Sequence, residues 1–445
     1  MKKEVTIIGA GLVGSLLSIF LSRRGYKVHI YEKRGDMRKE EMNAGRSINL
    51  ALSDRGLLAL EKVGLAEEIK EIAIPMTGRY IHNIDGTTGF QPYGREGQYI
   101  NSVSRATLNM KLMDFAEKQG IEIHFNQKCI AIDWKTNQVS FELLHPELQT
   151  SNFELLFGAD GAFSEVRLQH QLQHEKFEYH QYYIDCGYKE MTIPATASGD
   201  FAMKINALHI WPRKDYMLIA LPNLDKTFTC TLFFPFEGET SFPKLDNKEK
   251  VKAFFEKTFP DAASLMPDYI NEFLNNPTSL LVTIKCYPWI RDNKFSLIGD
   301  AAHAIVPFFG QGMNCGFEDC RILDELVDEY DDDWKTILPK FQTSRKPDAD
   351  AIADLAIGNF TEMRERTADP KFLLQKKIEA WLHEKHPDKW IPAYSQVTFN
   401  PHIHFADAFL NAMKQEAIMR QVMTIQNIEE KWRSKEVEDL ILSKV

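Results

Sequence analysis

The most constraining feature of the chain is Gly9-Ala10-Gly11-Leu12-Val13-Gly14, set between an apolar stretch at residues 5–8 and the helix-patterned run LVGSLLSIFLSRRG. YKVHIYEK from Tyr26 then reads as a second strand that ends near Glu32. Strand, glycine turn, helix and strand make a βαβ unit, the opening of a doubly wound sheet. In such a unit the first glycine permits a tight turn and the second lets a pyrophosphate approach the backbone. The third lets helix and strand pack closely, while the helix start offers unpaired N–H groups and a positive dipole end. Glu32 stands about twenty residues beyond the fingerprint, where a carboxylate accepts from a ribose hydroxyl. The plain alternative is a glycine turn at a helix start. The complete unit favours a dinucleotide site at Gly9, Gly11, Gly14 and Glu32, without separating FAD from NAD.

With 445 residues the chain exceeds one simple core and calls for two or three lobes. A net charge of -10 argues against nucleic acid or an anionic membrane as the main partner. A small anion can still meet a local arginine. The N-terminus shows no signal-peptide pattern, and no apolar run approaches the ~20 residues of a membrane-spanning helix. The six cysteines include no CxxC pair and read as reduced thiols of a cytoplasmic protein.

Further along, NALHIW, DYMLIAL and FTCTLFF alternate as strands of an antiparallel sheet between Phe201 and Phe236. Strand character returns at FSLIGDAAH from Phe295, a helix begins near Gly312, and helical patterning dominates from about Trp334. His170 with His174, and His402 with His404, have half the spacing of a metal site. They lack a carboxylate or thiolate set, so solvated or capping histidines are the expected reading. The acidic run from Asp328 to Asp333 reads as a solvated loop.

Two later motifs separate FAD from NAD. FGADGAFSEVR, with Asp160-Gly161, resembles the Asp-Gly motif of flavoprotein hydroxylases. LIGDAAHAIVPFFGQGMN, with Gly299-Asp300, resembles their Gly-Asp motif. Each alone is the usual strand-end turn with an Asp cap. All three motifs in this order imply non-covalent FAD. Asp300 would then reach ribityl hydroxyls, and the helix from Gly312 would point its positive end at the flavin pyrimidine, with Met313 and Asn314 N–H groups as donors. No second GxGxxG follows, so NADPH is expected as a transient reductant.

Over nearly its whole length the chain resembles the kynurenine 3-monooxygenase family of FAD-dependent aromatic hydroxylases. The segments that carry the resemblance are GRSINLALSDRG from Gly45, GRYIH, FQPYGR, NALHIWPRKDYMLIALPN, PFFGQGMNCGFEDC and IPAYSQVTF. The resemblance implies that Arg79 and Tyr93 bind the kynurenine carboxylate, with Asn359 and Tyr394 as polar partners of the same head group. It implies that Leu208, Ile219, Phe233, Pro307 and Phe308 line the ring pocket, and that Arg105 contacts FAD. Phe309 stands where some bacterial members carry His. It further implies hydroxylation of L-kynurenine with NADPH and dioxygen, in tryptophan catabolism and pyridine nucleotide biosynthesis, with the flavin carrying the chemistry and no catalytic side chain or metal required. Eukaryotic members carry a C-terminal membrane anchor, whereas this chain ends in KEVEDLILSKV.

The expected fold class is α/β. A Rossmann-like FAD-binding domain (1–72, 99–175 and 285–345) is interleaved with an α+β substrate domain (73–98 and 176–284), and a C-terminal helical region covers 346–445. A hydroxylase of another aromatic acid, and a non-catalytic relative that kept the fold for binding, are the competing readings. Intact flavin motifs speak against the second.

Overall fold

The computed structural model describes residues 3–39, 49–143, 148–362 and 369–445. Residues 45–48 of the first family-like segment therefore lie outside the described residues. The chain divides into two compact units. The first comprises Met1–Ala73, Asn101–Ile184 and Leu280–Ala353, and the second Ile74–Ile100, Asp185–Ser279 and Asp354–Val445.

The first unit is built on a six-stranded sheet in the order Ile290–Arg291, Phe295–Leu297, Leu155–Gly158, Glu4–Ile8, Lys27–Tyr31, Glu122–His124. Every pairing is parallel except the edge hairpin of Ile290–Arg291 with Phe295–Leu297. A parallel sheet covered on both faces needs strands that are apolar throughout. Val5, Ile7, Leu156, Phe157, Phe295 and Leu297 accordingly have no solvent exposure. Helix Leu12–Arg23 buries residues nearly all round, from Leu16 to Leu21. It packs against helices Arg105–Lys118 and Gly312–Glu329 as well as beside its own strand.

In the second unit the three alternating segments form strands Ala207–Arg213, Tyr216–Pro222 and Phe228–Pro235, paired antiparallel. Gly78–His82 joins the first of them in parallel, and Thr88–Pro92 closes a hairpin beyond it. The period of two sorts the side chains. Trp211, Leu218, Leu232 and Phe234 face a core with Val251, Phe255, Phe259 and Phe273 from the helices that follow. The opposite face carries Leu208, Ile219 and Phe233. Residues 354–445 group with this strand-rich unit, and their helices hold a small core of their own around Ile378, Leu382, Trp390, Met419, Val437 and Ile441. Among the described residues no helix is long and apolar enough to cross a membrane.

The sequence expectation for His170 needs correcting. Its side chain is fully buried, its ring meets those of Trp134, Phe177 and Phe295, and burial pushes its pKa down to about 3. It is a neutral core residue, neither solvated nor a cap. All six cysteines are buried.

A charged network lies within the first unit. Arg345 donates to Glu318, Asp319 and Asp348 at 2.8–3.0 Å, and Arg55 donates to Glu318 at 2.7 Å. His303 Nε2 meets Asp319 at 2.6 Å. Burial opposes each charge, yet Asp319 holds the His303 pKa well above 6.5, and His303 and Arg345 hold the Asp319 carboxyl below its usual range. Such a network adds little over an apolar core, but removing one partner strands the others.

The linkage sign for His303 follows from its raised folded-state pKa. Its contribution is fully present below the unfolded value of about 6.5 and is lost as pH rises through the folded one. His303→Gln is therefore expected to be destabilised most in acid-to-neutral buffer, with the gap to the parent chain narrowing as pH rises. Urea unfolding across pH measures this, and a gap independent of pH would refute it.

Candidate active site

The glycine fingerprint owes its geometry to contacts no other residue fits. Gly9 has φ +107°, and a Cβ there would lie 2.5 Å from the Ala159 carbonyl oxygen. At Gly14 a Cβ would lie 2.0 Å from the Gly9 carbonyl oxygen, which is the close packing of helix on turn. Gly11 differs: its φ is -75° and a Cβ would meet no atom within 4 Å. That open space borders the start of helix Leu12–Arg23, where no side chain caps the free N–H groups. A pyrophosphate fits there, held by backbone donors and the helix dipole.

Glu32 follows strand Lys27–Tyr31 and is buried. One carboxylate oxygen accepts the Ala10 N–H at 2.9 Å, and the other accepts Arg34 N at 3.0 Å and Nε at 2.7 Å. Burial would raise its pKa, but Arg34 and the backbone donors outweigh that and lower it. An ionised carboxylate with a lone pair left on the oxygen bonded to Ala10 suits a ribose hydroxyl. Asn109, which sequence reasoning passed over, donates to the Ala10 carbonyl at 3.2 Å and pins the same turn. Its only signal was a polar side chain among the apolar positions of helix Arg105–Lys118.

Asp160 is occupied differently from Asp300. Its carboxylate accepts from Ser164 Oγ at 2.5 Å and from Glu165 N and Val166 N at 2.7 and 3.2 Å. It therefore caps helix Glu165–Leu172, and burial raises its pKa against those bonds. Asp300 opens the short helix Asp300–His303, half-buried, and accepts no hydrogen bond among the described residues. Gly299 before it has φ +62° and ψ -145°, and its N–H donates to Asp319 at 3.1 Å. Val13 packs against both Gly299 and Gly316, so the fingerprint helix abuts the Asp300 turn.

Helix Gly312–Glu329 begins after a left-handed Gly310 and has no side-chain cap, leaving the N–H groups of Gly312, Met313 and Asn314 available. The Asn314 side chain donates to the carbonyls of Ala51 and Gly310 at 2.8 Å and accepts Ser53 N at 3.0 Å. It fixes that end rigidly. Arg105, exposed, opens helix Arg105–Lys118. On the turn Pro307–Phe309, Pro307 is exposed whereas Phe308 and Phe309 are each 7% exposed. These residues belong to the first unit and the remaining sequence-predicted positions to the second.

In the second unit a compact cluster joins three distant positions. The rings of Tyr93 and Tyr394 stack at 5.4 Å and 15°, and the Arg79 guanidinium lies 5.6 Å from one centroid and 5.0 Å from the other. Arg79 Nε and the Tyr93 hydroxyl are buried without a hydrogen-bond partner among the described residues. Burial raises both tyrosine pKa values, and Arg79 only partly offsets this. Both phenols stay protonated and able to donate.

Register extends the cluster into a surface. Arg79 pairs with Leu208, Ile210 with Ile219, Ile219 with Thr231, and Met217 with Phe233. Leu208, Ile219 and Phe233 therefore share the Arg79 face, an apolar floor beside a cation. Asn359, half-buried, stands near the end of helix Trp334–Thr361.

The space at Gly11 generates a test. Gly11→Ala should leave the stability of the FAD-free protein unchanged, because the new methyl meets no protein atom, yet weaken FAD binding by crowding the pyrophosphate. Flavin titration of the apoprotein, alongside its thermal unfolding, distinguishes this from general damage. Unchanged FAD affinity would remove Gly11 from the site.

The sequence profile of the FAD binding domain family matches residues 2–356. A kynurenine 3-monooxygenase of Flavobacterium johnsoniae is 50% identical over 442 residues, spanning 99% of this chain and 98% of that protein. One from Sus scrofa is 43% identical over 95% of this chain and 89% of its own length. Among solved structures, the tetrameric form of 2-methyl-3-hydroxypyridine-5-carboxylic acid oxygenase superposes with TM-score 0.67 at 18% identity, covering 86% of this chain and 98% of that one, a likeness of fold. With a family profile over residues 2–356 and relatives similar over 95–99% of its length, the chain belongs to the kynurenine 3-monooxygenase family of FAD-dependent hydroxylases.

Proposed function

We propose that the chain hydroxylates the aromatic ring of L-kynurenine to give 3-hydroxykynurenine, with NADPH and dioxygen as co-substrates. The observation that carries the residue assignment is the Arg79–Tyr93–Tyr394 cluster, whose Arg79 Nε and Tyr93 hydroxyl are buried donors without partners among the described residues. Buried polar groups left unpaired are costly, so such a pair marks a place for an acceptor. A carboxylate meets both donors, and the guanidinium supplies the charge. The raised pKa of Tyr93 keeps its hydroxyl a donor toward that anion. Leu208, Ile219 and Phe233 offer apolar contact to the substrate ring and keep water from it. Asn359 and Tyr394 complete the head-group site.

FAD, when bound, takes electrons from NADPH and activates dioxygen. Gly9, Gly11, Gly14 and Glu32 would hold its adenosine diphosphate half. Asp300, Gly312, Met313 and Asn314 would hold the flavin half, with Arg105 as an outer contact and Asp160 supporting through its helix cap. The side chains bind, orient and exclude water. A cytoplasmic location belongs to the same proposal, supported by the buried thiols of Cys129, Cys230, Cys286, Cys315 and Cys320, and cell fractionation checks it.

Arg79→Ala should raise the kynurenine KM strongly with FAD content unchanged, a loss of about 2–4 kcal/mol for a charge-assisted partner in a dry site. Steady-state kinetics on the yellow holoenzyme decides it, and an unaltered KM removes Arg79 from the site. Tyr394→Phe keeps the stacked ring and deletes one hydroxyl. It should weaken kynurenine binding and divert NADPH oxidation toward hydrogen peroxide, measured as peroxide per NADPH. Wild-type KM, kcat and peroxide yield together would exclude Tyr394 as a substrate contact.

A further inference from the structure

Strand Glu122–His124 forms one edge of the six-stranded sheet and pairs in parallel with Lys27–Tyr31. The register sets His29 beside Glu122 and Tyr31 beside His124. With a period of two, all four side chains leave the sheet on one face. Two imidazoles and a carboxylate are thereby gathered from strands far apart in sequence.

The contacts among these three are not those of hydrogen-bonded ion pairs. Glu122 Oε2 lies 3.0 Å from His29 Nδ1 and 3.7 Å from His124 Nε2. Both ring nitrogens are buried, and neither makes a hydrogen bond among the described residues. The shorter contact therefore lies off the axis of the His29 nitrogen, and the longer one is beyond hydrogen-bonding range. Buried ring nitrogens left in this way call for a partner.

The spacing suits a single ion. Bonds of about 2.0–2.1 Å in a tetrahedron hold ligand atoms about 3.4 Å apart. The two measured separations fall on either side of that value, and all three ligand atoms lie within 4.8 Å of one another. Glu122 is exposed, so its side chain has freedom to adjust and solvent reaches the site, whereas His29 and His124 are half-buried. The His124 ring stacks on Tyr31 at 4.7 Å, and Tyr31 stacks on Phe141 at 4.3 Å, which fixes the imidazole in place. Burial and the neighbouring His29 push the His124 pKa down against the pull of Glu122, so the ring is neutral, the form that ligates. Lys27, on the same face of its strand, is paired with Glu4 at 2.8 Å. The buried trio of His303, Cys315 and Asp319 also has suitable donors. There, however, the Arg345 guanidinium already donates to both Asp319 and Cys315 and supplies the positive charge.

We propose that His29, Glu122 and His124 form a binding site for one divalent transition-metal ion of the Zn2+ class, with water in the fourth position. Imidazole ligands favour such ions over Mg2+ and Ca2+, which take oxygen. The ion would cross-link the edge strand to the strand that leads into Glu32. The main chain already joins them at that point, where the His124 carbonyl accepts the Glu32 N–H at 2.9 Å. An ion held only by the folded sheet edge stabilises the folded chain.

The test uses untagged holoenzyme stripped with a chelator and titrated calorimetrically with Zn2+ alone. One equivalent should bind, and Mg2+ at the same concentration should not. His29→Gln and His124→Gln should each weaken Zn2+ binding by more than the roughly 10–100-fold that loss of an outer partner produces. Unchanged FAD content in both variants checks that they fold. His402→Gln, from a pair whose spacing alone resembles a ligand set, should bind Zn2+ as the parent chain does. Zn2+ should also raise the thermal midpoint of the parent chain but not that of His29→Gln. The proposal is overturned if the parent chain takes up no equivalent of Zn2+ or responds equally to Mg2+. Binding that survives in both His29→Gln and His124→Gln, or is lost in His402→Gln, overturns it as well.

Discussion

Asp319 is the residue on which the Asp300 turn and the start of helix Gly312–Glu329, the proposed flavin half of the cofactor site, depend. A single carboxylate accepts the Gly299 N–H, the His303 ring and the Arg345 guanidinium, all of them buried. Gly299 and His303 flank the Asp300 helix, so the turn that presents Asp300 is fastened at both ends to helix Gly312–Glu329. Arg345 then bonds Glu318, Asp319 and Asp348, securing that helix to helix Trp334–Thr361. Without this charge-balanced node, the available N–H groups of residues 312–314 and the Asp300 carboxylate would have no fixed relation. Preorganised donors are worth most where they need not move to meet the charge.

Much of the cradle was legible because glycine leaves a mark in sequence when backbone must pass close to backbone. Gly9 and Gly14 occupy positions where a Cβ would lie 2.5 Å or less from a carbonyl oxygen, and no other residue type substitutes. The strands were legible for a similar reason. Alternation in NALHIW, DYMLIAL and FTCTLFF separates the Leu208, Ile219 and Phe233 face from the Trp211, Leu218 and Phe234 face. What sequence could not announce was pairing across long separations. Asp319 and Arg345 look like ordinary charges on helical stretches, and Asp261 stands 179 residues from His82. His170 was expected to be solvated or capping, because a polar ring in a helical stretch gives no sign of the burial among aromatic rings that decides its role. Asp160 shows the opposite limit: the motif was visible, but its service as a helix cap became clear only from its bonding partners.

The two proposed binding regions rely on different materials. The proposed cofactor region is made largely of main chain: tight turns, uncapped helix starts and carbonyls held by Asn109 and Asn314. Backbone donors tolerate drift in surrounding side chains, which suits a cofactor shared across many chemistries. The proposed head-group region is made of side chains, a guanidinium over two stacked phenols. On the proposed assignment, specificity resides in residues whose identity matters more than their backbone shape.

The stacking of Tyr93 on Tyr394 has a consequence for how the protein is made. The first unit has its last segment in hand once Ala353 leaves the ribosome, whereas the second still lacks 354–445. Until that stretch emerges, the sheet face with Leu208 and Ile219 lacks the ring of Tyr394, and the Arg79 guanidinium lacks one of its two aromatic neighbours. Domains tend to fold as units during synthesis. On the proposed assignment of Tyr394, a nascent chain can acquire a nucleotide-binding fold before it acquires the means to choose a substrate.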